Sequence, residues 1–146
     1  MRNDGLSAAR RIMTRQHGAI ERSQAVKCGL TSRIIQGLVA REEWVVRLPR
    51  VYVQAGSANT WQQHLTVVSL WAGEGAAFCG RTAGYLHGLL EERPTPIEIW
   101  SPRRVRAQGI RVVRSWPPAR GDVVVVNGFR VVHPCRALLE LSAVLD

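Results

Sequence analysis

The sequence predicts an α+β chain built in two parts, and three observations carry that prediction. Apolar residues at helical spacing fill the first 43 positions, then give way to two short runs rich in Val, Trp and Tyr. Beyond residue 60, helical segments alternate with four strand-like runs, two of them joined by Asn127-Gly128. The 146 residues are 46% hydrophobic, which supplies a packed core and argues against disorder. At roughly 100–200 residues per domain, the length allows one ordinary domain or two very small ones.

The elements follow in order. Leu6, Ala9, Ile12 and Met13 give a helix over 6–16, closed at His17-Gly18 with Gly18 as the left-handed cap. A short helix over about 22–28 follows, capped by Glu21 or Ser23 and closed by Gly29. The third helix starts at Thr31, a good N-cap. Its apolar stripe is Ile34, Ile35, Leu38 and Val39, which leaves Ser32, Arg33, Gln36, Gly37, Ala40 and Arg41 on the opposite face. Strands at 44–47 and 51–53 flank the turn Leu48-Pro49-Arg50. Three short helices, the last two separated by a tight Gly-containing turn, and then a β-hairpin: this is the order of a winged helix-turn-helix. The segment 54–59, with Gly56, reads as a linker. The expected division is therefore a winged helix-turn-helix over 1–55 and a small mixed α/β domain over 60–146.

In the second part Thr60 caps a helix to about Ala72, with Trp61, Leu65, Val68 and Trp71 on its apolar side. A second helix is expected over 81–90. Strands are expected at 97–100, 110–114, 122–126 and 129–132. Pro134 opens a last helix, with Leu138, Leu139, Leu141 and Val144 as its core face. The tryptophans at 61, 71, 100 and 116 read as core and edge aromatics. Cys28, Cys79 and Cys135 are far apart with no C-x-x-C, so they read as small buried hydrophobes, and neither a disulfide framework nor a structural zinc site is expected.

The net charge is +9, and only Lys27 among the 20 basic residues is not an arginine. The charge is segregated. Residues 1–50 carry ten basic and four acidic side chains, residues 51–100 two and four, and residues 101–146 eight and three. Blocks of this kind suggest a polyanion-facing N-terminal region and a second basic face near the C-terminus. No apolar run approaches the ~18 residues of a membrane span, and no signal peptide is evident, so a soluble, cytoplasmic protein is expected.

Catalytic patterns are not evident. Lys27 does not follow the glycine that a Walker loop requires. Gly73-x-Gly75 is followed by Phe78 where a dinucleotide fingerprint needs Gly or Ala, and a G-x-S-x-G elbow is absent. Nuclease chemistry of the acid-x-lysine type fails because Ala25 stands two before the sole lysine. His17, His64, His87 and His133 are isolated in sequence. No enzyme activity, metal or cofactor is expected.

The third helix does carry a chemical pattern. A recognition helix presents short polar or forked side chains from its N-terminal half into the major groove. Thr31, Ser32, Arg33 and Gln36 satisfy this, since Arg can grip guanine and Gln adenine with two hydrogen bonds each. Arg41 at the helix end and Arg47 and Arg50 on the hairpin fall where phosphate or minor-groove contacts occur. Arg10, Arg11, Arg15 and Arg22 could reach flanking phosphates. Gly37 on the exposed face costs about 1 kcal/mol of helix stability against Ala, which a close approach of backbone to DNA would rationalise. Arg103, Arg104 and Arg106 form a second cluster, a possible further contact with nucleic acid or a partner.

Several strings, taken in order, resemble one family. They are Arg15-Gln16-His17-Gly18-Ala19-Ile20, Ser23-Gln24-Ala25 through Gly29-Leu30-Thr31, Trp44-x-x-Arg47-Leu48-Pro49-x-Val51-Tyr52 and Thr60-Trp61-x-Gln63. Arg81-Thr82-Ala83-x-x-Leu86-His87-Gly88-Leu89 and Pro134-x-Arg136-Ala137-Leu138-Leu139-Glu140-Leu141 complete them. Together they resemble the AbiEi-type antitoxins of abortive-infection, type IV toxin–antitoxin systems. That resemblance implies a winged helix that binds double-stranded DNA at inverted repeats in its own promoter and represses it. It also implies a second domain needed for antitoxin activity, and a nucleotidyltransferase-type toxin as functional partner without direct binding. Carried over, the recognition positions are Ser32, Arg33 and Gln36, and the wing positions Arg47 and Arg50. Where relatives usually have Pro-Gly in the wing turn, this chain has Pro49-Arg50. Many actinobacterial relatives continue into a short-patch-repair-like endonuclease domain, and this chain stops at Leu145-Asp146, about where that domain would begin. The antitoxin reading is therefore preferred. Its alternatives are the DNA-targeting module of such an endonuclease lacking its nuclease, and an RNA- or toxin-binding protein that uses Arg103, Arg104 and Arg106.

Overall fold

The computed structural model describes residues 2–114 and 116–144, so Leu145 and Asp146 lie outside the described residues. The fold is α+β. Its described elements run α1 (Arg2–Arg15), β1 (Ala19–Glu21), α2 (Arg22–Lys27), α3 (Ser32–Ala40), β2 (Trp44–Leu48), β3 (Val51–Gln54) and α4 (Trp61–Ala72). They continue β4 (Ala77–Phe78), α5 (Gly80–Leu86), β5 (Ile97–Trp100), β6 (Ile110–Val113), β7 (Val123–Val126), β8 (Phe129–Val132) and α6 (Pro134–Ser142).

The chain divides into two units, Met1–Trp71 and Ala72–Asp146. The division falls between Trp71 and Ala72, at the last residue of α4, whereas the sequence reading places that helix in the second part. The reason is Gln63, which is 2% exposed. Its amide nitrogen donates to the carbonyl of His17 at 2.8 Å and to the Ser57 hydroxyl at 2.9 Å. A buried amide is costly unless bonded, so these contacts tie the first turns of α4 to the chain reversal after α1. That reversal uses two left-handed residues, His17 and Gly18. A Cβ on Gly18 would lie 2.8 Å from the Ser57 Cβ, so the position tolerates no side chain.

In the first unit β1, β3 and β2 form an antiparallel sheet in that order. β1 escapes the sequence reading because three residues carry no periodicity; it exists because Ala19, Ile20 and Glu21 pair with Val53, Tyr52 and Val51. Ala9 and Met13 of α1, Ala25 of α2, and Ile35 and Leu38 of α3 meet Trp44 and Tyr52 of the sheet in one core. The Trp44 and Tyr52 rings lie 5.6 Å apart.

The second unit holds a mixed sheet ordered β6-β5-β4-β8-β7. β5–β6 and β4–β8 are parallel, while β4–β5 and β7–β8 are antiparallel. Asn127 and Gly128 both have positive φ, as the type I′ turn joining β7 to β8 requires. Phe78 and Phe129 meet edge to face at 5.9 Å across the central strands. The helix expected over 81–90 is shorter, ending at Leu86, with Gly88 at positive φ beyond it.

Helix α6 corrects the expected core face. Its buried residues are Ala137 and Leu141, while Leu138, Leu139 and Val144 are 53%, 72% and 52% exposed. Close approach to α5 decides this, because a Cβ on Gly84 would stand 2.8 Å from Leu141 Cδ1. Two further expectations fail. Trp116 is 83% exposed rather than a core or edge aromatic, and Cys135 is exposed rather than a buried hydrophobe.

Candidate nucleic-acid interface

Helix α3 begins where the Thr31 hydroxyl accepts from the Ile34 backbone N–H at 3.2 Å. With Ile35 and Leu38 buried, Ser32, Arg33, Gln36, Ala40 and Arg41 project outward. The predicted recognition residues therefore share one exposed face. A shallow groove of about 590 Å³ borders one side of this face, lined by Thr31, Arg33, Gly37 and Arg41 together with Leu6, Ile34 and Leu38, and Ser32 and Gln36 lie outside it.

Two of these residues, Ser32 and Arg41, are held by partners. The Arg22 guanidinium donates to the Ser32 hydroxyl, which links the start of α2 to the start of α3. Arg22 is half-buried and spends one N–H on this link. Arg41 lies 3.5 Å from the Glu43 carboxylate, an exposed pair worth about 0–1 kcal/mol. Its guanidinium also folds back over Gly37, where a Cβ would stand 3.3 Å from Arg41 Nη1. A side chain at position 37 would meet only the movable end of Arg41, the C-cap residue.

The hairpin is also tied to α2. Arg50 has φ 68°, in the left-handed region, and follows Pro49 as the third residue of a type II turn does. Glycine is the residue that takes this conformation without strain, so arginine here costs free energy. Arg50 Nε lies 3.3 Å from Glu21 Oε1, and Arg22 N–H donates to the Arg50 carbonyl at 2.8 Å. The Glu21 side chain is only 11% exposed, against 62% for Arg50. Glu21 Oε2 meanwhile accepts from Ser23 N–H at 2.7 Å and from the Ser23 hydroxyl, and Gln24 Oε1 accepts from Glu21 N–H. This capping box settles the choice between Glu21 and Ser23 in favour of Glu21.

One carboxylate thus starts α2 and steadies the hairpin turn. Sequence reasoning did not assign Glu21 that second role, and Gln24 three residues on signals only the cap. Arg47 is exposed on β2. Burial first, and the Arg47 charge second, hold the His64 imidazole below its ordinary pKa. Arg10, Arg11 and Arg15 are exposed on α1.

The second arginine cluster splits. Arg103 lies over Gly73, where a Cβ would fall 2.5 Å from its Nε. Arg104 and Arg106 instead line a groove of about 810 Å³ together with Arg114. Elsewhere in this unit Glu98, whose side chain is 11% exposed, accepts from Arg81 N–H at 3.1 Å and from Arg111 at 3.3 Å. Burial raises the pKa of Glu140, and burial with Glu140 and Glu98 raises that of the Cys79 thiol, which keeps the thiol protonated. Among the described residues no group of three His, Cys, Asp or Glu side chains could hold a metal ion. No helix there is long and apolar enough to cross a membrane.

No protein-family model matches the chain, and no curated protein matches it.

Proposed function

We infer that the chain is a DNA-binding transcriptional regulator of the AbiEi-type antitoxin class, without catalytic activity. In this reading residues 1–55 are a winged helix-turn-helix. Helix α3 enters the major groove and the β2–β3 hairpin is the wing. The observation that carries the reading is the outward face of α3. Ser32, Arg33 and Gln36 stand together there, without a carboxylate among them, in the same unit as the arginine-bearing hairpin. Arg33 and Gln36 read base edges; Arg41, Arg47 and Arg50 meet phosphates or the minor groove, and exposed Arg10, Arg11 and Arg15 add flanking charge. Ser32, whose oxygen accepts from Arg22, donates its O–H to no partner among the described residues.

The target is an inverted repeat upstream of its own coding sequence, read by two protomers. The functional partner is a nucleotidyltransferase-type toxin that the protein opposes without binding it. Both points rest on the family resemblance. DNase I footprinting of that upstream region tests the reading. Two protected half-sites about 34–36 Å apart, or a multiple of that spacing, are expected. Protection no stronger than that of unrelated DNA would overturn it.

A further inference from the structure

The second unit has a feature that DNA binding by α3 does not use, at the free edge of its sheet. β6 is the last strand in the order β6-β5-β4-β8-β7, so one of its edges lacks a partner strand among the described residues. The parallel ladder with β5 determines which groups point outward. Ile97 N–H donates to the Gly109 carbonyl at 3.0 Å, and Ser101 N–H to the Val113 carbonyl at 3.1 Å. In a parallel pair alternate residues turn both backbone groups to the same neighbour. Residues 109, 111 and 113 therefore face β5, while Ile110 and Val112 face away. Ile110 N–H is taken by the Ala107 carbonyl at 3.3 Å. The same bridge turns the Ile110 C=O toward Ala107, so among the described residues the Val112 N–H and C=O remain on the open side.

That open side borders the arginine-lined groove. The segment carrying Arg104 and Arg106 turns back at the Ala107–Ile110 bridge and forms one wall. Ile110, Val112 and Arg114 form the other, and Val105 adds apolar surface. No lining residue is acidic. Arg104 and Arg106 make no ion pair or hydrogen bond among the described residues. Arg114 spends one N–H on the Pro102 carbonyl at 3.3 Å and keeps the rest of its guanidinium. An exposed strand edge, half-buried aliphatic side chains and three arginines define a ligand with three properties. It offers a backbone for the ladder, apolar side chains for Ile110 and Val112, and negative charge for the arginines.

We propose that the β6 edge binds an extended acidic peptide segment of a partner protein, which adds to the sheet as a sixth strand. Strand addition takes its affinity from main-chain hydrogen bonds and its selectivity from alternate side chains. The partner's alternate residues are therefore Asp or Glu on the arginine side. A nucleic acid would satisfy the arginines and leave the Val112 groups without a ladder.

The test is fluorescence anisotropy on the full chain with four labelled probes. They are a six-residue peptide alternating Glu and Val, the same peptide with Lys for Glu, the Glu–Val peptide N-methylated at alternate residues, and a single-stranded oligonucleotide of equal charge. The Glu–Val peptide is expected to bind best. Arg104→Ala and Arg106→Ala, both at exposed positions, should each weaken it about five-fold. N-methylation should abolish binding, and the peptide should slow hydrogen exchange at the Val112 amide. Equal binding of the N-methylated peptide, preference for the oligonucleotide, or no binding of the Glu–Val peptide would each overturn the proposal. Arg33→Ala serves as the control that leaves peptide binding unchanged.

Discussion

Replacing Arg50 tests how the hairpin turn is built, because two effects at this residue oppose each other. Its φ of 68° is left-handed, where an L-residue with a Cβ is strained by about 1–2 kcal/mol relative to its right-handed conformation. Its guanidinium pairs with Glu21 at 3.3 Å, but with 62% of the side chain exposed that pair contributes only about 0.2–1 kcal/mol. Glu21 is not orphaned by losing it, since Ser23 N–H still donates to the carboxylate. Arg50→Ala removes the pair and keeps the strain, so it should destabilise by the value of the pair alone. Arg50→Gly removes both, at a cost of about 0.5–1 kcal/mol in greater unfolded-chain freedom. The Gly variant should therefore end within about 1 kcal/mol of the parent and stay more stable than the Ala variant by about 0.5–1 kcal/mol. Urea denaturation of the three proteins at neutral pH measures this. An Ala variant as stable as the Gly variant would show that the turn is unstrained and refute the reasoning. In DNA binding the two variants should behave alike, each lowering the salt slope by about 0.9 for one lost phosphate contact.

Other outcomes follow from the same structure. Leu141→Ala should cost about 2–5 kcal/mol, and Leu139→Ala within about 0.5 kcal/mol of nothing, when compared by chemical denaturation. Equal costs would restore the expected leucine face of α6. Gln63→Leu should destabilise by about 1–3 kcal/mol, since it leaves the His17 carbonyl without that donor, and thermal melts would register it. Glu140 has a folded pKa raised by burial, so its contribution to stability is fully present below the ordinary carboxylate range and is lost as pH rises through the folded value. Glu140→Gln should flatten that part of the stability–pH curve; an unchanged slope would contradict the assignment. His64 acts in the opposite sense, its contribution present above the ordinary imidazole range and lost as pH falls. Arg47→Ala should reduce that loss without removing it, because burial is the larger cause.

What the sequence reveals and what it hides divide along a physical line. Helices α1, α3 and α4 and the 127–128 hairpin are legible because their signals are local: a periodic stripe, a capping hydroxyl, a turn dipeptide. The two shortest strands are not, since β1 and β4 exist only through pairing with segments distant in the chain. The face of α6 misleads because leucines outweigh Ala137 in any hydrophobic pattern, yet only Ala137 and Leu141 are buried, Leu141 against Gly84 of α5. In the candidate site the exposed face of α3 is legible from its stripe. The Arg22–Ser32 and Arg50–Glu21 links are not, because they join residues from different elements. Arg103, Arg104 and Arg106 are adjacent in sequence and part company in space, while Arg114 returns to the groove along β6.

The central claim is that α3 reads DNA sequence. Fluorescence anisotropy with the upstream inverted repeat and a scrambled duplex, across a salt series, tests it most directly. The account predicts that the repeat binds tighter by about 10³ or more, and that Arg33→Ala or Gln36→Ala closes most of that gap. Equal binding to both duplexes, fading steeply with salt and indifferent to Gln36→Ala, would mean that the arginines meet only phosphates and would contradict it.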